Sequence, residues 1–191
     1  MKITLLRHTE VDEAYHKCYN GHIDIGLSLR GKNQAVQLSQ EFKDESFDLV
    51  YCSDLLRTRE TLAPFKQLKQ AIYTKKIREK SWGKHEGMGF DAIVSEGEIE
   101  YENFPQWIRA LDGEDYELYI QRVKVFFLEF LIKKNADTIL VVTHAGVIRV
   151  LISIIKNISL EEAFSYDVGY GAYLILDSKT MSFSEVKYKL G

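Results

Sequence analysis

A short, mostly apolar run, Ile3-Thr4-Leu5-Leu6, breaks off abruptly at Arg7 and His8. It reads as a buried parallel strand whose carboxyl end delivers side chains to the edge where open α/β sheets bind their ligands. The event recurs late in the chain. Thr138-Ile-Leu-Val-Val-Thr143 is apolar inside and ends on His144, followed by Ala145-Gly146 and a helical pattern over Val147 to Lys156. In one parallel sheet the two carboxyl ends share an edge, so the two imidazoles can converge. A histidine at such a strand end serves as nucleophile, base, metal ligand or internally paired polar residue.

Composition narrows the classes. A chain of 191 residues, 46% hydrophobic, can bury a full core as one domain spanning 1–191. A net charge of −3 and a pI near 6.0 offer no basic field for wrapping nucleic acid. Cys18 and Cys52 make no disulfide framework, so a reducing compartment is expected. The first apolar run is too short for a signal peptide and carries Arg7 where the run should continue. Ile139 to Ile155 is interrupted by His144 and Arg149, so it reads as core and not as a membrane span. The expectation is a cytoplasmic protein without membrane or nucleic-acid partners; self-association as a homodimer stays open.

Between the two histidines, Asn20-Gly21 marks a loop. Ser28 reads as the N-cap of a helix over Leu29 to Phe42, with Ala35, Val36, Leu38 and Phe42 at helical spacing. Asp48 to Cys52 reads as a second strand. Ser53 or Asp54 is expected to cap a helix that Pro64 bends or ends, and Ala71 to Ile77 gives a third strand. Strand, helix, strand, helix, strand predicts a parallel sheet with right-handed crossovers. Glu79 to Gly113, broken by four glycines, reads as an irregular cap. Asp115 to Lys134 forms an amphipathic helix with Val123, Phe126, Phe127, Phe130 and Leu131 inward. Gly171 to Asp177 and Phe183 to Lys189 read as an edge hairpin or edge strands. The whole is an α/β three-layer αβα sandwich with a mostly parallel central sheet and a cap insertion over approximately 80–137.

Arg57 falls in the first turn of the helix after the second strand, and Glu79 follows the third. Two arginines, two histidines and a carboxylate at one sheet edge suit a phosphoryl group, because guanidinium forks match its oxygens bidentately. The helix beginning after His144 adds backbone N–H donors.

These pieces resemble the histidine phosphatase, or phosphoglycerate mutase-like, superfamily. They are Leu6-Arg7-His8-Thr9-Glu10, Tyr19-Asn20-Gly21-His22, Ser53-Asp54-Leu55-Leu56-Arg57-Thr58, Glu79, Trp82-Gly83-Lys84-His85-Glu86-Gly87 and Thr143-His144-Ala145-Gly146-Val147-Ile148-Arg149. They run in family order over about three-quarters of the chain. The resemblance implies His8 as nucleophile, Arg7, Arg57 and His144 as phosphoryl-oxygen ligands, and Glu79 as acid and base. It further implies substrate contacts at Asn20, Gly21 and Ala145, with no cofactor and no metal. One arginine about 4 Å from a phosphate charge is worth on the order of 4 kcal/mol at an effective dielectric of 20. Neighbouring cations should favour the neutral, nucleophilic His8.

Thr9 and Ala14 stand where the family usually carries glycine and asparagine, with Asn20 a candidate to take over a polar contact. His16, Cys18 and His22 lie close in sequence but fit no common zinc spacing. Trp82, Phe90, Tyr101, Phe104 and Trp107 either pack the cap or stack on a ring-bearing substrate. Within the superfamily the likeness leans to the α-ribazole phosphatases, implying removal of the 5′-phosphate of α-ribazole phosphate in cobamide assembly. A broad-specificity small-molecule phosphatase and a phosphoglycerate mutase are the alternatives, and a phosphate-ester binding protein on the same scaffold is the non-enzymatic one.

Overall fold

Successive side chains of a strand point to opposite faces, and that alternation divides the core in two. The computed structural model describes residues 1–187. Ile3 and Leu5 of β1 (Lys2–Arg7), Tyr51 of β2 (Leu49–Ser53), and Ile139 and Val141 of β4 (Thr138–Thr143) join one buried cluster. Their neighbours Leu6, Val50, Cys52, Leu140 and Val142 join the other. With β3 (Ala71–Thr74), β5 (Tyr173–Asp177) and β6 (Ser182–Phe183), the sheet runs β3-β2-β4-β1-β5-β6, its first four strands all parallel. Helices cover both faces, giving the expected three-layer sandwich.

One face is covered by α1 (Leu29–Glu41) and α2 (Leu56–Leu62), through Leu38, Phe42, Leu62 and Phe65. Ser28 caps α1, its Oγ accepting the Gly31 N–H at 2.8 Å. Val36 is half exposed, not inward, because it sits one residue round the helix from the buried Ala35. Neither Ser53 nor Asp54 caps α2. The N-cap is Leu55, and Asp24 Oδ1 accepts the Leu56 N–H from across a loop. Ser53 and Asp54 are instead bonded to His144 and Arg78. The helix ends at Leu62, before Pro64. β3 is shorter than expected, because Lys75–Ile77 tightens into a 3-10 turn.

The segment after Glu79 is less irregular than expected. It contains α3 (Phe90–Ser95) and α4 (Phe104–Ala110), the latter started by an Asn103 cap and Pro105 in its first turn. Asp115 caps α5 (Tyr116–Lys124), which continues as a π-helical turn over Val125–Phe130 and a 3-10 turn over Leu131–Lys133. The wider turn buries the consecutive Phe126 and Phe127, and Phe126 meets Tyr51 edge-on at 5.5 Å. α6 (Ala145–Lys156) stops at Asn157, which takes the left-handed conformation at φ 52°; α7 (Leu160–Phe164) follows.

β5 (Tyr173–Asp177) is the inner strand of the expected edge hairpin. It pairs antiparallel with β1 on one side and with the two-residue β6 (Ser182–Phe183) on the other. The last two residues of the expected 183–189 strand lie outside the described ones. Among the described residues no helix is long and apolar enough to cross a membrane.

Gly31 lets α1 lie against the loop after β1, since a Cβ there would sit 1.9 Å from the Glu10 carbonyl oxygen. Gly31→Ala should therefore cost about 1–3 kcal/mol, read as a lower denaturant midpoint at constant slope. An unchanged midpoint would contradict this packing.

Candidate active site

β1 and β4 are paired in a register that sets Arg7 opposite Thr143. The next residue on each strand is therefore a histidine at the same level, and the His8 N–H donates to the Thr143 carbonyl at 3.0 Å. The two imidazole centroids lie 5.3 Å apart. A cavity of about 260 Å³ opens at this edge, lined by Arg7, His8, Asn20, Gly21, Arg57, Glu79, Ala145 and Gly146 among others. The sequence-expected residues are thus brought to one place. His144 is wholly buried beside His8 and is not itself part of the lining.

The protonation of His8 follows from one bond. Its Nδ1 lies 2.8 Å from the Thr9 carbonyl, which can only accept, so the proton sits on Nδ1 and Nε2 carries a lone pair. Burial, then the charges of Arg57 and Arg7, hold the ring well below the ordinary value of 6.5. His144 is depressed for the same first reason and then by Arg57. Its Nε2 is bonded to Ser53 Oγ at 2.9 Å, while Nδ1 has no hydrogen-bond partner among the described residues.

Arg57 is 2% exposed and is anchored rather than swinging. Its Nη1 donates to the Ile23 carbonyl at 2.9 Å and its Nη2 to that of Gly21 at 2.7 Å. Burial lowers its pKa to about 10, so it is cationic at neutral pH. Gly21, at φ +43°, has room for no side chain: a Cβ would meet Trp82, Lys80 and Glu86 within 3 Å. Arg7 donates through Nη1 to the Val168 carbonyl at 2.6 Å and lies 4.1 Å above the Tyr170 ring. Asn20 donates to the Tyr15 carbonyl at 2.9 Å, leaving its buried Oδ1 without a partner among the described residues. Ala14 is exposed and takes no part.

Glu79 is gripped on both oxygens. Oε1 accepts from the Lys80 N–H at 3.1 Å and the Tyr119 hydroxyl at 2.8 Å; Oε2 accepts from the Gly146 N–H in the first turn of α6 at 2.9 Å. A Cβ on Gly146 would lie 2.2 Å from Oε1, so only glycine permits this approach. Neither Tyr119 nor Arg122 of α5 was assigned to the site from the sequence. Arg122 pairs with Glu114 and donates to the carbonyls of Lys76, Arg78 and Glu79, fixing the loop that carries the carboxylate. Their signal, an i, i+3 pair on a helix packed beside Glu79, is invisible until that packing is known. Lys80 was also missed. It is buried, donates to the Ser81 and Asp112 carbonyls, and lies 4.3 Å from the Trp82 ring, with burial lowering its pKa to about 8.

His16, Cys18 and His22 do not cluster around a common point. His16 and His22 donate to the carbonyls of Val11 and Glu79, and the Cys18 thiol to that of His16. Trp82 and Phe104 reach the cavity, whereas Phe90 and Tyr101 pack on Trp107, each at 4.8 Å.

Because both site imidazoles resist protonation in the native state, the unfolded chain binds more protons below pH 6.5. Their contribution to stability is complete above that pH and is lost as pH falls. The unfolding free energy should drop from pH 7 to pH 5, and a His8→Asn, His144→Asn double variant should flatten that slope. An equal slope in both proteins would contradict the buried neutral pair.

Relatives share this architecture. An adenosylcobalamin/alpha-ribazole phosphatase of Escherichia coli is 28% identical over 93% of this chain and 90% of its own. Phosphoserine phosphatase 1 of Hydrogenobacter thermophilus is 29% identical over 92% and 86%. The crystal structure of the alpha-ribazole phosphatase from Shigella flexneri superposes with a TM-score of 0.80 at 26% identity, covering 100% of this chain and 95% of that one. The family model of the histidine phosphatase superfamily, branch 1, matches residues 3–190, and the chain belongs to that superfamily, whose members hydrolyse phosphate esters.

Proposed function

We propose that this chain hydrolyses phosphate monoesters through a phosphohistidine at His8, and that its ester is α-ribazole 5′-phosphate or a close chemical relative. The observation that carries the reaction is the His8 ring, neutral, its proton held on Nδ1 by Thr9, its Nε2 lone pair left for phosphorus beside two arginines. Phosphoryl transfer asks mainly for positioning and for neutralisation of the equatorial oxygens. Arg7 and Arg57 supply fixed charge. The hydroxyl of Ser53 can donate to His144 Nε2, which leaves the His144 proton on Nδ1 for a phosphoryl oxygen.

His8 Nε2 attacks phosphorus as the bond to the leaving oxygen breaks. Glu79 gives that oxygen a proton, and the alcohol departs. Water then attacks the phosphohistidine and returns a proton to Glu79; the P–N bond breaks, releasing phosphate and neutral His8. Asn20, Gly21 and Ala145 line the pocket around this centre. The finer substrate reading is supported by the walls of Trp82, Phe104, Ile108 and Phe164, which suit a flat leaving group, and by the two α-ribazole phosphatase relatives.

The test is turnover of a phosphate-ester panel in the presence of chelator. Wild type should act on α-ribazole phosphate ahead of phosphoserine and phosphoglycerates, and His8→Ala should fall to background while remaining folded. Activity retained in His8→Ala would remove the nucleophile. Glu79→Gln should slow esters of poor leaving groups by about 10²–10⁴-fold and activated aryl phosphates far less. Equal losses on both would deny Glu79 its proton-transfer role.

A further inference from the structure

Tyr19 lines the cavity next to Trp82, and its Oη accepts the Trp107 indole N–H at 2.8 Å. An indole only donates, so the phenol is the acceptor in that bond and its own proton is left to give. Among the described residues none accepts it. The phenol is also held firmly. The Tyr19 N–H donates to the Met88 carbonyl at 2.9 Å, its carbonyl accepts from Gly87 at 3.0 Å, and Cys18 forms an antiparallel bridge with Gly89. Its ring meets Trp82 edge-on at 5.1 Å, and Phe90 and Tyr101 brace Trp107 from the cap. Burial raises the phenol's pKa, keeping the proton in place.

We propose that Tyr19 selects the leaving alcohol, donating its hydroxyl proton to a nitrogen or oxygen acceptor on a flat, uncharged heterocycle that packs against Trp82, with Trp107 positioning the phenol. This rests on the phosphatase reading above and names the residue that reads the leaving group. The cations at the same cavity suit a carboxylate less well than their number suggests. Arg149 turns its Nε and Nη2 toward the Tyr166 carbonyl and lies 4.9 Å from the Phe164 ring, and Lys17 is an exposed side chain on a left-handed backbone at φ 58°. The phenol is an uncharged donor on the cavity wall whose proton no described residue accepts.

The experiment compares kcat/KM for a benzimidazole riboside 5′-phosphate, ribose 5-phosphate and phosphoserine. In wild type the heterocyclic ester should lead ribose 5-phosphate by about tenfold or more, and phosphoserine should trail it. One neutral hydrogen bond corresponds to about two- to tenfold, so Tyr19→Phe should cut the heterocycle-to-ribose ratio by about that factor. Trp107→Phe should move the ratio the same way, since it frees the phenol to turn. Tyr19→Phe leaves the Trp107 N–H unpaired, so the double variant serves as the control. It removes both partners and relieves any structural cost, yet the ratio should stay low. An unmoved ratio in Tyr19→Phe, its recovery in the double variant, or a wild-type preference for phosphoserine would overturn the inference. Failure of wild type on all three esters would overturn the phosphatase reading and this inference with it.

Discussion

The parallel pairing of β1 with β4 is the constraint from which the site follows. Its register puts Arg7 level with Thr143, so each strand releases a histidine at the same height, and the His8 amide is tied to Thr143 as it leaves the sheet. Slipping one strand by a residue would turn every side chain to the other face. In β1 it would exchange Leu5 with Leu6 between the two cores, in β4 Val141 with Val142, and either slip would separate the imidazoles. Hydrophobic alternation and imidazole convergence are therefore one fact seen twice.

Around that pair the molecule uses carbonyl oxygens to hold charge still. Arg57 is fixed by Gly21 and Ile23, Arg7 by Val168, Arg122 by the Lys76, Arg78 and Glu79 carbonyls, and Lys80 by Ser81 and Asp112. A guanidinium already hydrogen-bonded to backbone keeps its charge and loses its freedom, so less entropy is spent when an anion arrives. The same burial that depresses both histidines keeps them neutral among these cations. Positive charge thus resides on the arginines, and the lone pair stays on the imidazole that needs it.

Much of this was legible in the chain. The apolar runs at 3–6 and 138–143 identified the central strands because a buried strand needs nothing but its own side-chain pattern. Ser28 identified a helix start because capping is local. The site residues at strand ends were readable for the same reason: parallel topology assigns them an edge. What stayed hidden depends on contacts across the fold. The Asp24 cap of α2, the Tyr119 hydroxyl on Glu79 and the buried Lys80 beneath Trp82 each join segments whose proximity no local pattern encodes. Glycine-rich spacing after Glu79 masked α3 and α4, short helices set by the burial of Ile93, Trp107 and Ile108 more than by propensity.

The central claim is that phosphorus becomes bonded to one ring nitrogen at the end of β1. Mixing the enzyme with excess ester, quenching in base where phosphohistidine survives, and mapping the modified peptide by mass spectrometry tests it most directly. The account predicts a single phosphoryl group on His8, appearing within one turnover and vanishing in chelator-treated enzyme as substrate is exhausted. Turnover without any phosphorylated histidine, or with the group on His144, would contradict it.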